Sequence, residues 1–177
     1  LVSSLLINLE TFGISAALGG SVASGGRRTV CIDGDGGFTM NTQELETIRR
    51  SSSSRLNGLI IDLRGNPGGL LKQSIRVADL LLSNGHIIST KGRHPDSLHH
   101  YEASGRNFAD GWRIVVLVDG KSASASEIVA AALQDQGRAV VVGTSSYGKG
   151  TVQTVIRLPN NGELNLTWSR FIAPSGY

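Results

Sequence analysis

The sequence predicts a mixed α/β fold. Short apolar runs of strand type at 29–33, 58–63, 86–90, 113–118 and 139–143 alternate with segments whose apolar residues recur at helical spacing. Glycine supplies 23 of the 177 residues, well above the usual ~7%, which calls for many tight turns between those elements. Residues 151–158 and 163–172 alternate in polarity around Asn160-Asn161-Gly162, a strong hairpin turn.

Taken in order, the first expected element is a helix at 13–24 with Ile14, Ala17, Leu18 and Val22 on its apolar side. A strand follows at 29–33, then a glycine-rich turn, then a helix at 41–50. Asn41 caps that helix, and Glu44 three residues on completes a capping box. Ser51-Ser52-Ser53-Ser54 is the compositional break and the linker candidate, dividing the chain into 1–54 and 55–177. Gly58 to Leu63 reads as a buried strand. Arg64-Gly65-Asn66-Pro67-Gly68-Gly69 is a sharp turn. A helix at 70–83 carries Leu71, Ile75, Ala78 and Leu82 on its expected core face, and an alanine-rich helix at 124–135 lies between the strands 113–118 and 139–143. No internal repeat is evident.

Bulk properties exclude several classes. At 40% hydrophobic and 18% charged residues the chain can bury a core and is not disordered by composition. The net charge of +3 is spread over scattered arginines and lysines, with no nucleic-acid motif and 5% aromatics, so a solvated surface is the reading preferred to nucleic-acid binding. Cys31 is the single cysteine, which leaves no internal disulfide. No apolar run approaches the ~18 residues of a membrane span. Leu1 to Glu10 lacks a basic n-region and a cleavage site, so it is not read as a signal peptide, and the missing initiator Met suggests a mature form or a fragment.

The chemistry-bearing candidates are Ser124 and Lys149. A serine hydroxyl is a poor nucleophile at neutral pH and needs a base. A lysine is such a base when burial keeps its amine neutral. Ser124 opens the 124–135 helix, so its oxygen faces free N–H groups and the positive end of the helix dipole. The Ala125 N–H is a natural oxyanion donor, and Gly68 or Gly69 offers a second because a bare backbone can approach a substrate. Gln153, four residues after Lys149, is placed to orient the amine, and Asp135 is an accessory candidate near the helix end. Taken singly, Ser122, Ser124 and Ser126 also fit ordinary turn and cap residues, and Lys149 fits a loop charge.

Several stretches together carry a resemblance. They are Gly58-Leu59-Ile60-Ile61-Asp62-Leu63-Arg64-Gly65-Asn66-Pro67-Gly68-Gly69-Leu70-Leu71 and Ser122-Ala123-Ser124-Ala125-Ser126-Glu127-Ile128. Gln134-Asp135-Gln136-Gly137-Arg138-Ala139, Tyr147-Gly148-Lys149-Gly150-Thr151-Val152-Gln153 and Pro174-Ser175-Gly176 follow in the same order. Residues 55–177 thereby resemble the carboxyl-terminal processing peptidases, the S41 family of serine endopeptidases. The resemblance implies a crotonase/ClpP-like core of stacked ββα units, with the N-terminal βα segment completing the sheet. It implies Ser124 as nucleophile, Lys149 as general base, Gln153 as its orienting partner and Asp135 as an accessory residue. It further implies a polypeptide substrate, no cofactor and no metal, an extracytoplasmic setting, and leaves a homo-oligomer open. The family carries a PDZ domain ahead of this core, and nothing here reads as one. A non-catalytic, recombined scaffold is the alternative reading.

Residues 1–50 resemble a different family, the thiamine-diphosphate enzymes of acetolactate-synthase type, through Phe12-Gly13-Ile14-Ser15-Ala16-Ala17-Leu18-Gly19 and the stretch Thr29 to Glu46. That resemblance makes Asp35, in Gly34-Asp35-Gly36, a ligand of a diphosphate–Mg²⁺ site, an oxygen donor suited to a hard cation. The paired-Asn element that such a site needs is replaced here by Leu59–Leu70, so no working cofactor site is expected and a chimera is suspected. In that reading residues 29–33 lie beside 58–63 in one sheet. His94, His99, His100 and Glu102 are read as a solvated polar loop rather than a metal site, and Trp112 and Trp168 as core or strand-face residues; Asp62 and Arg64, at a strand end, fit a catalytic role and, at least as well, a structural ion pair or turn role.

Overall fold

The computed structural model describes residues 5–8, 29–32 and 58–176. Nine strands and two α-helices are present among them. Strands β1 (Leu5–Asn8) and β2 (Thr29–Ile32) form a parallel pair of their own. The second sheet is parallel, with β6 (Arg113–Val118) between β3 (Gly58–Asp62) and β7 (Ala139–Gly143). The third is antiparallel, in the order β5 (His99–Glu102), β4 (His86–Lys91), β9 (Glu163–Ile172), β8 (Thr151–Arg157). Helices α1 (Leu71–Leu81) and α2 (Ala125–Asp135) pack against each other; α1 leads from the parallel sheet to β4, and α2 crosses over between β6 and β7.

The register explains the core. In β6 the residues Ile114, Val116 and Val118 are buried while Val115 and Leu117 between them are half-buried, the period-2 pattern of a strand with one closed face. Ile61 of β3 lies on the same closed face, and Ile128, Val129, Ala132 and Leu133 of α2 fill it from the helix side. The open face runs out at the edge strand β7, where Val140 is 63% exposed.

Arg138 locks the far end. Its guanidinium donates to Leu81 O (2.9 Å), Trp112 O (2.8 Å) and Ala109 O (2.5 Å), joining the end of α1 to the turn before β6. Burial pushes its pKa down from the ordinary value.

Most expected elements form where the periodicity places them. The helix expected at 70–83 occupies 71–81, but its buried face is Ser74, Val77, Ala78 and Leu81, with Leu71 and Ile75 only half-buried. Leu82 is buried just past the helix end. The face is set by docking against α2 rather than by the widest apolar spacing. His99, His100 and Glu102, expected in a loop, lie on β5 and pair with β4. Strand β2 covers 29–32 of the expected 29–33. Its ladder runs to β1 and not, as expected, to β3, which it approaches within 8 Å at Cα without sharing a sheet, because β3 pairs with β6. The helices expected at 13–24 and 41–50, the serine linker and Asp35 lie outside the described residues. No described helix is long and apolar enough to cross a membrane.

Candidate active site

Two loops leave the carboxyl ends of neighbouring parallel strands, the usual position for a site in an α/β sheet. The loop after β3 is shaped by its own side chains. Asp62 accepts from the Arg64 guanidinium at 2.7 Å and 2.9 Å and from the Arg64 N–H. The guanidinium hydrogen bonds hold the Asp62 carboxyl below its ordinary value of 3.8. Asp62 and Arg64 therefore form an ion pair across the turn, the structural one of the two roles open to them. Buried Asn66 accepts from the Gly68 N–H at 2.8 Å. Its own carbonyl receives the Ala123 N–H (2.9 Å) from the second loop. Asp119, at the end of β6, closes the junction. It accepts from Gly65 N–H and Lys121 N–H (both 2.9 Å) and Ser122 N–H (3.1 Å), and these donors, Gly65 first, lower its pKa.

This junction sorts the three serines. Ser122 is fully buried, donates to Leu63 O at 2.6 Å and accepts from Asp119 N–H at 2.9 Å. Ser126 is buried and donates to Asn66 O at 3.3 Å. Both hydroxyls are used to hold the loops together. Ser124, half-exposed at the head of α2, sits at φ 55° and ψ −115°. A non-glycine residue at positive φ carries about 1–3 kcal/mol of strain and persists only where its surroundings impose it. Here Gly68 is part of that surrounding. A Cβ built on it would lie 2.5 Å from Ala123 O, 2.7 Å from Ala125 N and 3.0 Å from Ser124 Cβ.

The Ala125 N–H has no acceptor among the described residues, as first-turn helix amides are expected to be. Of the two glycines proposed as the second oxyanion donor, Gly68 has its N–H engaged by Asn66, whereas the Gly69 N–H is unpaired among the described residues. The Asx-type turn at Asn66 consumes the first and leaves the second outward.

Ser124 and Lys149 line one pocket of about 240 Å³. Its walls are Ile88 of β4, Ile128 and Ala131 of α2, and Phe171 and Ala173 at the end of β9. Lys149 is exposed on the rim, and among the described residues no hydrogen bond joins its ammonium to Ser124 Oγ. The burial expected for the base is therefore not supplied by the described residues, because the loop 144–150 lies on the open side of the pocket. The loop itself is fixed. Tyr147 N–H donates to Ser122 O and Gly150 O accepts from Phe171 N–H, both at 2.9 Å.

Gln153 is exposed on β8, opposite Thr167 beyond an irregularity in the ladder, and is not among the pocket's lining residues. Asp135 is at the other end of α2, about 15 Å from its head by helical rise. It accepts from Ser175 N–H at 2.9 Å and so anchors the chain just after pocket residue Ala173. Helix rise puts those eleven positions at opposite ends of the element, so Asp135 is not part of the pocket.

A residue not singled out from the sequence stands at the centre. Glu127 accepts from Ser124 N–H (2.6 Å), Ser146 Oγ (2.7 Å), Gly148 N–H (2.6 Å) and Lys149 N–H (2.9 Å). The signal was present as Ser124-x-x-Glu127, the same capping spacing recognised at Asn41 and Glu44. Elsewhere, His100 is hydrogen-bonded to Ser89 (2.9 Å) and Glu102 (3.1 Å) and stacks on His86 at 4.2 Å. His94 receives the Asp96 N–H at 3.2 Å. Trp112 packs edge-on to Phe108 at 5.8 Å, and Trp168 lies on the β9 face beside His94.

Solved structures place this architecture among the peptidases. A photosystem II D1 C-terminal processing protease superposes with a TM-score of 0.67 and 30% identity, covering 80% of this chain and 36% of that one. A putative S41 protease from Bacteroides fragilis shares the fold at a TM-score of 0.59. Within that class the chain belongs to peptidase family S41, whose model matches residues 33–177. It is similar to the carboxy-terminal-processing protease of Bartonella bacilliformis, 50% identical over 124 residues, which is 70% of this chain and 29% of the relative. A carboxyl-terminal-processing protease of Picosynechococcus sp. is 37% identical over 133 residues, 75% of this chain and 32% of the relative. The chain thus spans about a third of the length of these relatives.

Residues 3–62 also match the C-terminal TPP-binding domain of thiamine pyrophosphate enzymes. The two matches overlap at 33–62. The last stretch of the overlap, residues 58–62, is β3, registered residue for residue to β6 of the peptidase core. Where the thiamine site would need polar diphosphate ligands, this strand presents Leu59, Ile60 and Ile61, which do not fit the group.

Proposed function

We propose that the chain carries the hydrolytic core of a carboxyl-terminal processing endopeptidase, with Ser124 and Lys149 as its dyad. The observation that carries this reading is the shared pocket. Ser124, in its strained conformation, and Lys149 both line one largely apolar cavity, and the unpaired Ala125 N–H follows Ser124 in the chain. Ser124 Oγ attacks the scissile carbonyl carbon while its proton passes to the Lys149 amine. The tetrahedral oxyanion is held by the N–H groups of Ala125 and Gly69. Collapse breaks the C–N bond, and the proton on Lys149 goes to the leaving amine. Water then attacks the acyl ester as Lys149 takes its proton, the C–O bond to Ser124 breaks to release the acid, and Lys149 returns the proton to Ser124 Oγ. The substrate chain, lying over the pocket, covers Lys149 and supplies the desolvation that favours its neutral form. Gln153 and Asp135 have no step in this scheme.

The test is cleavage of a quenched fluorescent, unstructured peptide by the wild-type chain beside Ser124→Ala and Lys149→Ala. Cleavage lost in both variants, with unchanged circular dichroism, is the expected result. Equal silence of three folded proteins would overturn the reading in favour of a non-catalytic scaffold, which the exposed Lys149 would then explain.

A further inference from the structure

We infer that Glu127 is a positioning residue that sets the nucleophile and the base loop in one register through a single carboxylate. The inference rests on the Ser–Lys reading above. Glu127 is the third residue of α2, so its side chain reaches back over the helix head toward Ser124 and sideways to the loop 146–149. One oxygen, Oε2, accepts from both Ser124 N–H and Lys149 N–H. The other, Oε1, accepts from Ser146 Oγ and Gly148 N–H. A carboxylate has about four acceptor lone-pair sites, and here four donors fill them.

The consequence for geometry is specific. Ser124 is held at φ 55° with its N–H fixed on Oε2, and Lys149 is attached through its own N–H to the same atom. The distance between the two main chains is therefore set by one oxygen. The loop's other backbone hydrogen bonds, Thr144 N–H to Val118 O, Tyr147 N–H to Ser122 O, Gly150 N–H to Gly148 O and Phe171 N–H to Gly150 O, engage no atom of Lys149, so the Glu127 bond is the one that ties its main chain to the Ser124 side. Charge-assisted bonds to a carboxylate are shorter and stronger than neutral ones, which suits the 2.6–2.9 Å distances. Glu127 also lines the pocket without being placed to attack or to accept the serine proton.

Glu127→Gln separates positioning from mere helix capping. The amide keeps size and one acceptor oxygen but turns the other into a donor facing two donors. Whichever way it flips, one pair of bonds is lost. With the quenched peptide, Glu127→Gln is expected to lower kcat by about 10²-fold, the scale of a ~1 Å misplacement of reacting groups, while KM stays near wild type. Ser146→Ala, which removes one neutral donor on the exposed loop, is expected to lose clearly less. Amide hydrogen exchange gives a second readout that needs no turnover. Ser124 and Lys149 amides, slow together in the wild type, are expected to accelerate together in Glu127→Gln. A folded Glu127→Gln with wild-type kcat overturns the inference, as does a loss confined to KM or matched by loss of folded protein. Unlinked exchange of the two amides overturns it too. A silent wild-type chain with linked exchange would instead refute the Ser–Lys reading and leave the shared carboxylate standing.

Discussion

Gly68→Ala measures how tightly the first loop is built against the nucleophile. The new Cβ would lie 2.5 Å from Ala123 O and 2.7 Å from Ala125 N, where ordinary contact begins at 3.4 Å, so the loop at Ala123 must retreat by about 0.9 Å and the helix head by about 0.7 Å. Position 68 also sits at φ 88°, which disfavours any L side chain by about 1–2 kcal/mol. Overpacking adds about 1–3 kcal/mol. The sum, about 2–5 kcal/mol, is a large share of a typical stability of about 5–15 kcal/mol. Because the displaced atoms include Ala125 N, reactivity of Ser124 should fall by about 10²-fold as well. Gly69→Ala is the matched control, since a Cβ there meets nothing within 4 Å and keeps the N–H. Urea unfolding followed by tryptophan fluorescence gives the stability, and the rate of Ser124 modification by a fluorophosphonate gives the reactivity. If Gly68→Ala and Gly69→Ala share one urea midpoint and one labelling rate, the reasoning from contact distances is wrong.

Ser122→Ala removes a buried hydroxyl that bonds one buried and one half-buried main-chain group and should cost about 1–3 kcal/mol in urea unfolding, whereas Ser124→Ala should leave stability at or above wild type and abolish labelling. Arg138→Lys replaces a three-pronged donor by a point charge and should cost about 1–3 kcal/mol, read as a lowered urea midpoint. The Asp62–Arg64 pair predicts a pH dependence. The folded carboxyl titrates below its ordinary value of 3.8, so its contribution is complete above that value and is lost as pH falls through the folded one. Asp62→Asn should therefore be less stable than wild type at about pH 6, with the gap closing by about pH 2. A gap of constant size across that range would show that the pair is not the cause.

Much of the site was legible from local chemistry. The apolar runs gave β3, β6 and β7, the Asn160-Asn161-Gly162 turn gave the β8–β9 hairpin, and the position of Ser124 ahead of an alanine-rich run gave the helix that presents it. Legibility failed where a distant partner decides. The polar stretch His99–Glu102 becomes strand β5 because β4 offers it a ladder, which no local periodicity announces. The burial expected of Lys149 depends on what lies over the open side of its loop, a property of neighbours and not of the glycines beside it.

The choice among three serines shows the division most clearly. Spacing along the chain placed Ser122, Ser124 and Ser126 at one helix head, and the order of motifs named the middle one. That much is determined by sequence, because helix starts and turn chemistry are local. Only the tertiary structure engages Ser122 with Leu63 and Ser126 with Asn66, residues 59 and 60 positions away, and leaves Ser124 at the pocket. The convergence of four donors on Glu127 is equally non-local, since three of them come from a loop about twenty residues on. A hydrogen bond is decided by positions in space, and those positions are fixed when the parallel strands bring their loops together.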